Sequence, residues 1–87
     1  MKFEYDKSAD VMYVAVQERD PHQCRFPENE NGDVLWVDKL TGETVGVTII
    51  SFLSRVQKGY PIDVPEIGPS AALKKQAARL LRERIRA

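Results

Sequence analysis

Two segments, VMYVAV (residues 11–16) and DVLWVD (residues 33–38), constrain this chain more than any other feature. Successive side chains of a strand point to opposite faces. Val11, Tyr13 and Ala15 therefore share one face, and Met12, Val14 and Val16 the other. Val34 and Trp36 likewise oppose Leu35 and Val37. All of these positions are apolar. An antiparallel sheet with one solvated face alternates apolar and polar residues, so strands that are apolar on both sides require cover on both sides. A short helix can cover one face. The other needs the C-terminal helix or a second subunit, and two sheets stacked face to face about a two-fold axis meet that need economically. The expected state is a homo-oligomer, a dimer.

The flanking sequence supplies the rest of a sheet. Lys2 to Tyr5 alternates polar and apolar residues, the period of a half-buried strand. DKSAD (residues 6–10) follows as a hairpin loop, with Asp6 and Asp10 placed to accept backbone N–H groups and close the turn. Residues 17–32 read as an aperiodic polar loop. KLTG (residues 39–42) is a tight turn in which Gly42 takes positive φ without steric cost. ETVGVTII (residues 43–50) is the last strand, and Gly46 within it marks a bulge or a close packing contact. The expected sheet is a four-stranded antiparallel meander.

Helical spacing then takes over. Phe52, Leu53 and Val56 lie on one side of a short helix, with Ser51 as its N-cap and Gly59 as its stop. Residues 59–69 carry three prolines and form an extended connector. Ser70 caps a final helix whose apolar stripe is Leu73, Ala77, Leu80, Leu81 and Ile85. The fold class is α+β. Residues 1–58 hold the sheet and short helix, 59–69 the connector and 70–87 the amphipathic basic helix, all within one domain of 87 residues.

A chain this short buries only about 60–65% of its unfolded surface, so its stability margin is thin. Cys24 is the only cysteine, which rules out an intramolecular disulfide and fits a reducing cytoplasm. The opening MKFEYDKS has no apolar signal-peptide core, and no apolar run approaches the length of a membrane span. The expected location is cytoplasmic, with no membrane partner. The zero net charge hides an asymmetry: through Gly68 there are 7 Lys and Arg against 12 Asp and Glu, a net of −5, and from Pro69 onward 6 against 1, a net of +5. An acidic body carries a basic tail. Such a tail suits an acidic or nucleic-acid partner, or docking on its own body or on a second copy.

YDKSADVMYVAV followed by VLWVDKLTGETVGVTIISF resembles the small prokaryotic domain-of-unknown-function family numbered 2283. Tyr5, Asp6, Asp10, Tyr13, Asp38, Gly42, Val45, Gly46 and Ile49 carry the likeness, which covers residues 2 to about 56. It implies an antiparallel sheet with a short helix and brings no catalytic residues. Some members resemble one half of a toxin–antitoxin-like gene pair, which implies a protein partner. The long loop 17–32 and the basic helix fall outside the pattern.

No other motif carries chemistry well. Asp6 and Asp10 as a catalytic pair would need a cleft, which a hairpin tip does not supply. Asp20, His22 and Cys24 are zinc-ligand types at alternate positions, but structural zinc sites bring two such pairs. ENENGD (residues 28–33) lacks the ligand order of a calcium loop. KLTGET lacks the ending of a phosphate loop. The expectation is no catalytic residue, no metal and no cofactor. Lys74, Lys75, Arg79, Arg82 and Arg86 remain as the candidate contacts for a partner. The leading expectation is a non-enzymatic interaction module, the partner-binding half of a small regulatory pair. Nucleic-acid binding through the basic helix is the alternative, for which the N-terminal turn SAAL is poorly suited to base reading.

Overall fold

A computed structural model of the chain describes residues 1–68 and 71–86, without the side chains of residues 85 and 86. Its strands are β1 (Lys2–Asp6), β2 (Val11–Ala15), β3 (Cys24–Arg25), β4 (Val34–Asp38) and β5 (Thr44–Ile50), followed by helices α1 (Phe52–Gln57) and α2 (Ala71–Arg86). All pairings are antiparallel, in the order β1-β2-β5-β4-β3. The α+β antiparallel architecture is therefore present, but the four-stranded meander is corrected on two counts.

First, the loop after β2 is not wholly irregular. A 3-10 turn (Pro21–Gln23) starts on Asp20, whose carboxylate accepts the His22 N–H, and leads into β3. Cys24 there is buried and pairs with Asp38. Two residues give no readable period, so β3 is invisible in the sequence. Second, the chain crosses after β2 to the far edge and works back inward through β3, β4 and β5. This places β5, whose Val45, Val47 and Ile49 are essentially inaccessible, between β2 and β4. The most apolar strands thereby take the positions paired on both sides.

One face of this sheet forms the core. Met12, Val14, Leu35, Val37, Val47 and Ile49 pack against Phe52 and Leu53 of α1 and Leu73, Ala77 and Leu80 of α2. Each large apolar side chain so buried contributes about 1.5–3 kcal/mol relative to exposure. The connector joins this core, because Ile62 and Val64 are buried in it. Both helices thus lie on the same side of the sheet. The expectation that α2 could cover the second face is overturned: its apolar stripe is already used on the first. The Ser70 cap and the side chains of Ile85 and Arg86 lie outside the described residues.

Two polar devices hold the helical layer to the sheet. Asp33, 0% exposed, forms an ion pair with Arg55 of α1. Arg55 also donates to the Pro61 carbonyl at 2.6 Å, which fastens the connector. The second device corrects the expected Ser51 cap. Ser51 stands at the start of α1 with φ 54° and makes no side-chain cap. Asp10, from the β1–β2 turn, supplies the cap instead. Its Oδ1 accepts the Leu53 N–H at 2.8 Å and its Oδ2 the Ser54 N–H at 3.1 Å. Free N–H groups at a helix start need such an acceptor wherever the chain can provide one.

Candidate interaction surface

The face of the sheet opposite the helices is covered by no described helix, and its floor is set by one tryptophan. Trp36 on β4 lies beside Gly46 on β5, its pairing partner. A Cβ at Gly46 would overlap the indole at Cε3 and stand 2.6 Å from Cδ2. Glycine is thus what lets the ring lie flat across β5, and the indole in turn covers the glycine backbone. The indole N–H donates to Thr48 Oγ1 at 2.9 Å, which fixes the ring in the plane of the sheet. A register shift between Trp36 and Val37 leaves Val45 unpaired with β4, and Val45 joins the lining of this face. The sequence prompted either a bulge or a close contact at Gly46; the structure has both.

Tyr13 and Ala15 extend the floor on one side, and the segment 17–26 rises as a wall on the other, bringing Pro21, Cys24 and Phe26 to it. Arg19 holds that wall in place. Its Nε donates to Asp38 Oδ2 at 3.0 Å, and its other nitrogens reach the Glu18 carbonyl and Gln17 Oε1. Together these residues enclose an open groove of about 700 Å³. Tyr13 at 37%, Phe26 at 51% and, by strand alternation, Ile50 at 45% exposure leave apolar side chains accessible on this face. The rim is charged and predominantly acidic: Glu4, Glu18 and Asp20 stand with Lys2 and with Arg19, which is already paired to Asp38.

The residues singled out in the sequence fall into other roles. Asp6 closes the β1–β2 turn by accepting from Ser8 N–H, Ser8 Oγ–H and Ala9 N–H. The Ser8 hydroxyl and then the Ala9 amide hold its carboxyl below the ordinary range. Asp10 does more than turn a corner: besides capping α1 it accepts from Tyr5 Oη–H at 2.6 Å. Partial burial pushes its carboxyl up, but the bonds from Tyr5, Leu53 and Ser54 outweigh that, and the net shift is downward. Burial first, and the bond to Asp10 second, raise the Tyr5 phenol to about 12. Asp38 accepts the Leu40 and Thr41 amides in the β4–β5 turn, and these, with Arg19, hold its carboxyl low. Gly42 completes that turn at φ 73°. Asp6, Asp38 and Gly42 are thus turn closers, Asp10 is a helix cap and Gly46 is the glycine under Trp36.

Asp20, His22 and Cys24 do not converge. Asp20 caps the 3-10 turn, His22 is exposed and Cys24 is buried. Among the described residues no three His, Cys, Asp or Glu side chains form a group able to hold a metal ion. In ENENGD, Asn29 Oδ1 accepts from Asn31 and Asp33 and shapes the entry to β4. On α2, Lys74, Lys75, Arg79 and Arg82 are exposed on the side away from the core, and among the described residues none is in an ion pair. The side chain of Arg86 lies outside the described residues. No described helix is long and apolar enough to cross a membrane.

Two features of the structure were missed in the sequence. The Asp33–Arg55 pair spans 22 residues without a motif. The groove wall depends on β3 and on Arg19, neither of which has a periodic signal. Trp36 and Gly46 were visible as residues, but their partnership requires the β4–β5 register. No family model, no curated relative and no solved structure matches this chain.

Proposed function

We propose that this chain is a non-enzymatic, homo-oligomeric interaction module whose working surface is the open sheet face. The supporting observation is Trp36, laid flat on Gly46 and flanked by the exposed Tyr13 and Phe26, on the one face that no described helix covers. Trp and Tyr supply large, rigid contact area and dominate the centres of protein interfaces. Among the described residues, those lining the groove include no nucleophile–base pair in hydrogen-bond contact. The resemblance to the family numbered 2283 adds a second protein of a regulatory pair as a further partner of the same module.

Trp36 is the sole tryptophan, so its emission reports on the groove floor alone. Concentrating the protein should shift that emission to the blue and shield it from acrylamide. Emission and quenching that stay constant over a wide dilution series would count against the reading.

A second reading rests on α2. Its exposed Lys74, Lys75, Arg79 and Arg82 could meet phosphates, and such binding weakens steeply with salt. Alanine at all four positions should then abolish binding to duplex DNA; equal affinity before and after would eliminate it.

A further inference from the structure

The two features that set this molecule apart, an aromatic groove with an acidic rim and a basic helix, have opposite shape and opposite charge. The groove is concave. Its rim carries Glu4, Glu18 and Asp20 with the single cation Lys2, and Arg19 is engaged by Asp38. The outer side of α2 is convex and carries Lys75, Arg79 and Arg82 at positions that recur on one helical face. Lys75 to Arg82 spans about 10 Å of helix at 1.5 Å per residue. A five-residue strand gives a floor about 17 Å long, enough to receive that span. Arginine and lysine are also the side chains that gain most from an aromatic floor with carboxylates at its edge, through cation–π contact with Trp and Tyr and ion pairs at the rim.

A chain cannot make this contact with itself. Leu73, Ala77 and Leu80 fix α2 on the core face, so its basic side points away from the sheet and the groove opens on the other side. We propose that the occupant of the groove is the basic face of α2 from a second copy of this chain. The inference rests on the open face being the working surface, and it names the partner for that surface. The two patches lie on opposite sides of the body. The contact is therefore heterologous, head to tail, and does not close at a dimer. Its ionic share makes it sensitive to salt.

The test uses three full-length variants that change exposed residues and so spare the core. One reverses the rim (Glu4→Lys with Glu18→Lys), one reverses the helix (Lys75→Glu with Arg79→Glu), and one trims the wall (Phe26→Ala). Sedimentation velocity of the unaltered chain should show mass rising with concentration beyond a dimer, and falling between low and high salt. Each charge-reversed variant alone should associate at least about tenfold more weakly. Mixing the two should restore association, because each then offers the other complementary charge. A mass that stops at a dimer, or association that survives helix reversal while Phe26→Ala weakens it, would overturn α2 as the occupant and leave the open face as the working surface. A chain that stays monomeric at every concentration would overturn the inference together with the homo-oligomeric reading of the module. Unchanged association in all three variants would overturn it together with the reading of the open face.

Discussion

Several residues here hold separate elements together through their hydrogen bonds, and Asp10 is the clearest. It stands at φ 55° in the β1–β2 turn and accepts from Tyr5, Leu53 and Ser54, joining β1 to the first turn of α1. Asp10→Ala removes the cap, and losses of this kind cost about 1–2 kcal/mol. Urea unfolding should show a lower midpoint with an unchanged slope; Asp10→Asn, which keeps one acceptor oxygen, should lose less. Gly46→Ala tests a different constraint. The added methyl collides with the Trp36 ring, and overpacking of this kind costs about 1–3 kcal/mol. The loss should shrink when Trp36 is first replaced by Val, a coupling that a double-mutant cycle reads directly. Titration follows from the same residues. The carboxyls of Asp6, Asp10 and Asp38 are held low in the folded state, so the stability they lend is present above their unfolded pKa, near 4, and is lost as pH falls through the folded values. The Tyr5 phenol is raised to about 12, so its share is present below the unfolded value, near 10, and is lost as pH rises through 12. Melting temperature against pH should be flat near neutrality and fall on both sides, and Tyr5→Phe should flatten the alkaline fall.

Elements differ in how far the sequence discloses them. β1, β2, β4, β5, α1 and α2 all follow from local period and punctuation: alternation at Lys2–Tyr5, apolar runs at residues 11–16 and 34–37, Gly42 and Gly59 as breaks, and the stripe from Leu73. β3 does not, because two residues carry no period and Cys24–Arg25 forms a strand only where the edge of β4 receives it. Strand order was likewise hidden. Short-range pattern says which residues pair within a hairpin, whereas the placement of β5 against β2 depends on which strands bury best in the assembled sheet. The candidate surface was half legible: two-sided apolarity announced a second apolar face, but its wall, its acidic rim and the flat seat of Trp36 emerge only from register and from the Arg19–Asp38 tether. The link between α1 and the sheet can be tested at its other anchor. Arg55→Leu leaves Asp33 buried without its partner, a loss of about 3–5 kcal/mol for a broken buried pair. Thermal unfolding followed by circular dichroism should show a markedly lower midpoint, and an unchanged midpoint would refute the anchoring role.

At the scale of the whole molecule, the structure is a layer of helices on one face of a sheet, with the other face left open. The core, the capping carboxylates and the Asp33–Arg55 pair all stabilise the helical side. None of them covers Tyr13, Phe26 or Trp36, which stand on the side where the sequence demanded cover and the chain's own helices do not provide it. The net charge of zero is the sum of an acidic body and a basic tail, the complementarity on which the proposed contact between copies rests. The measurement that bears most directly on this account is the solution mass of the purified chain by light scattering, taken across concentration with the Phe26→Ala variant in parallel. The account predicts a mass above the 9.9 kDa monomer that rises with concentration, and a lower mass for the variant at every concentration. A 9.9 kDa species throughout, the same for both proteins, would contradict it.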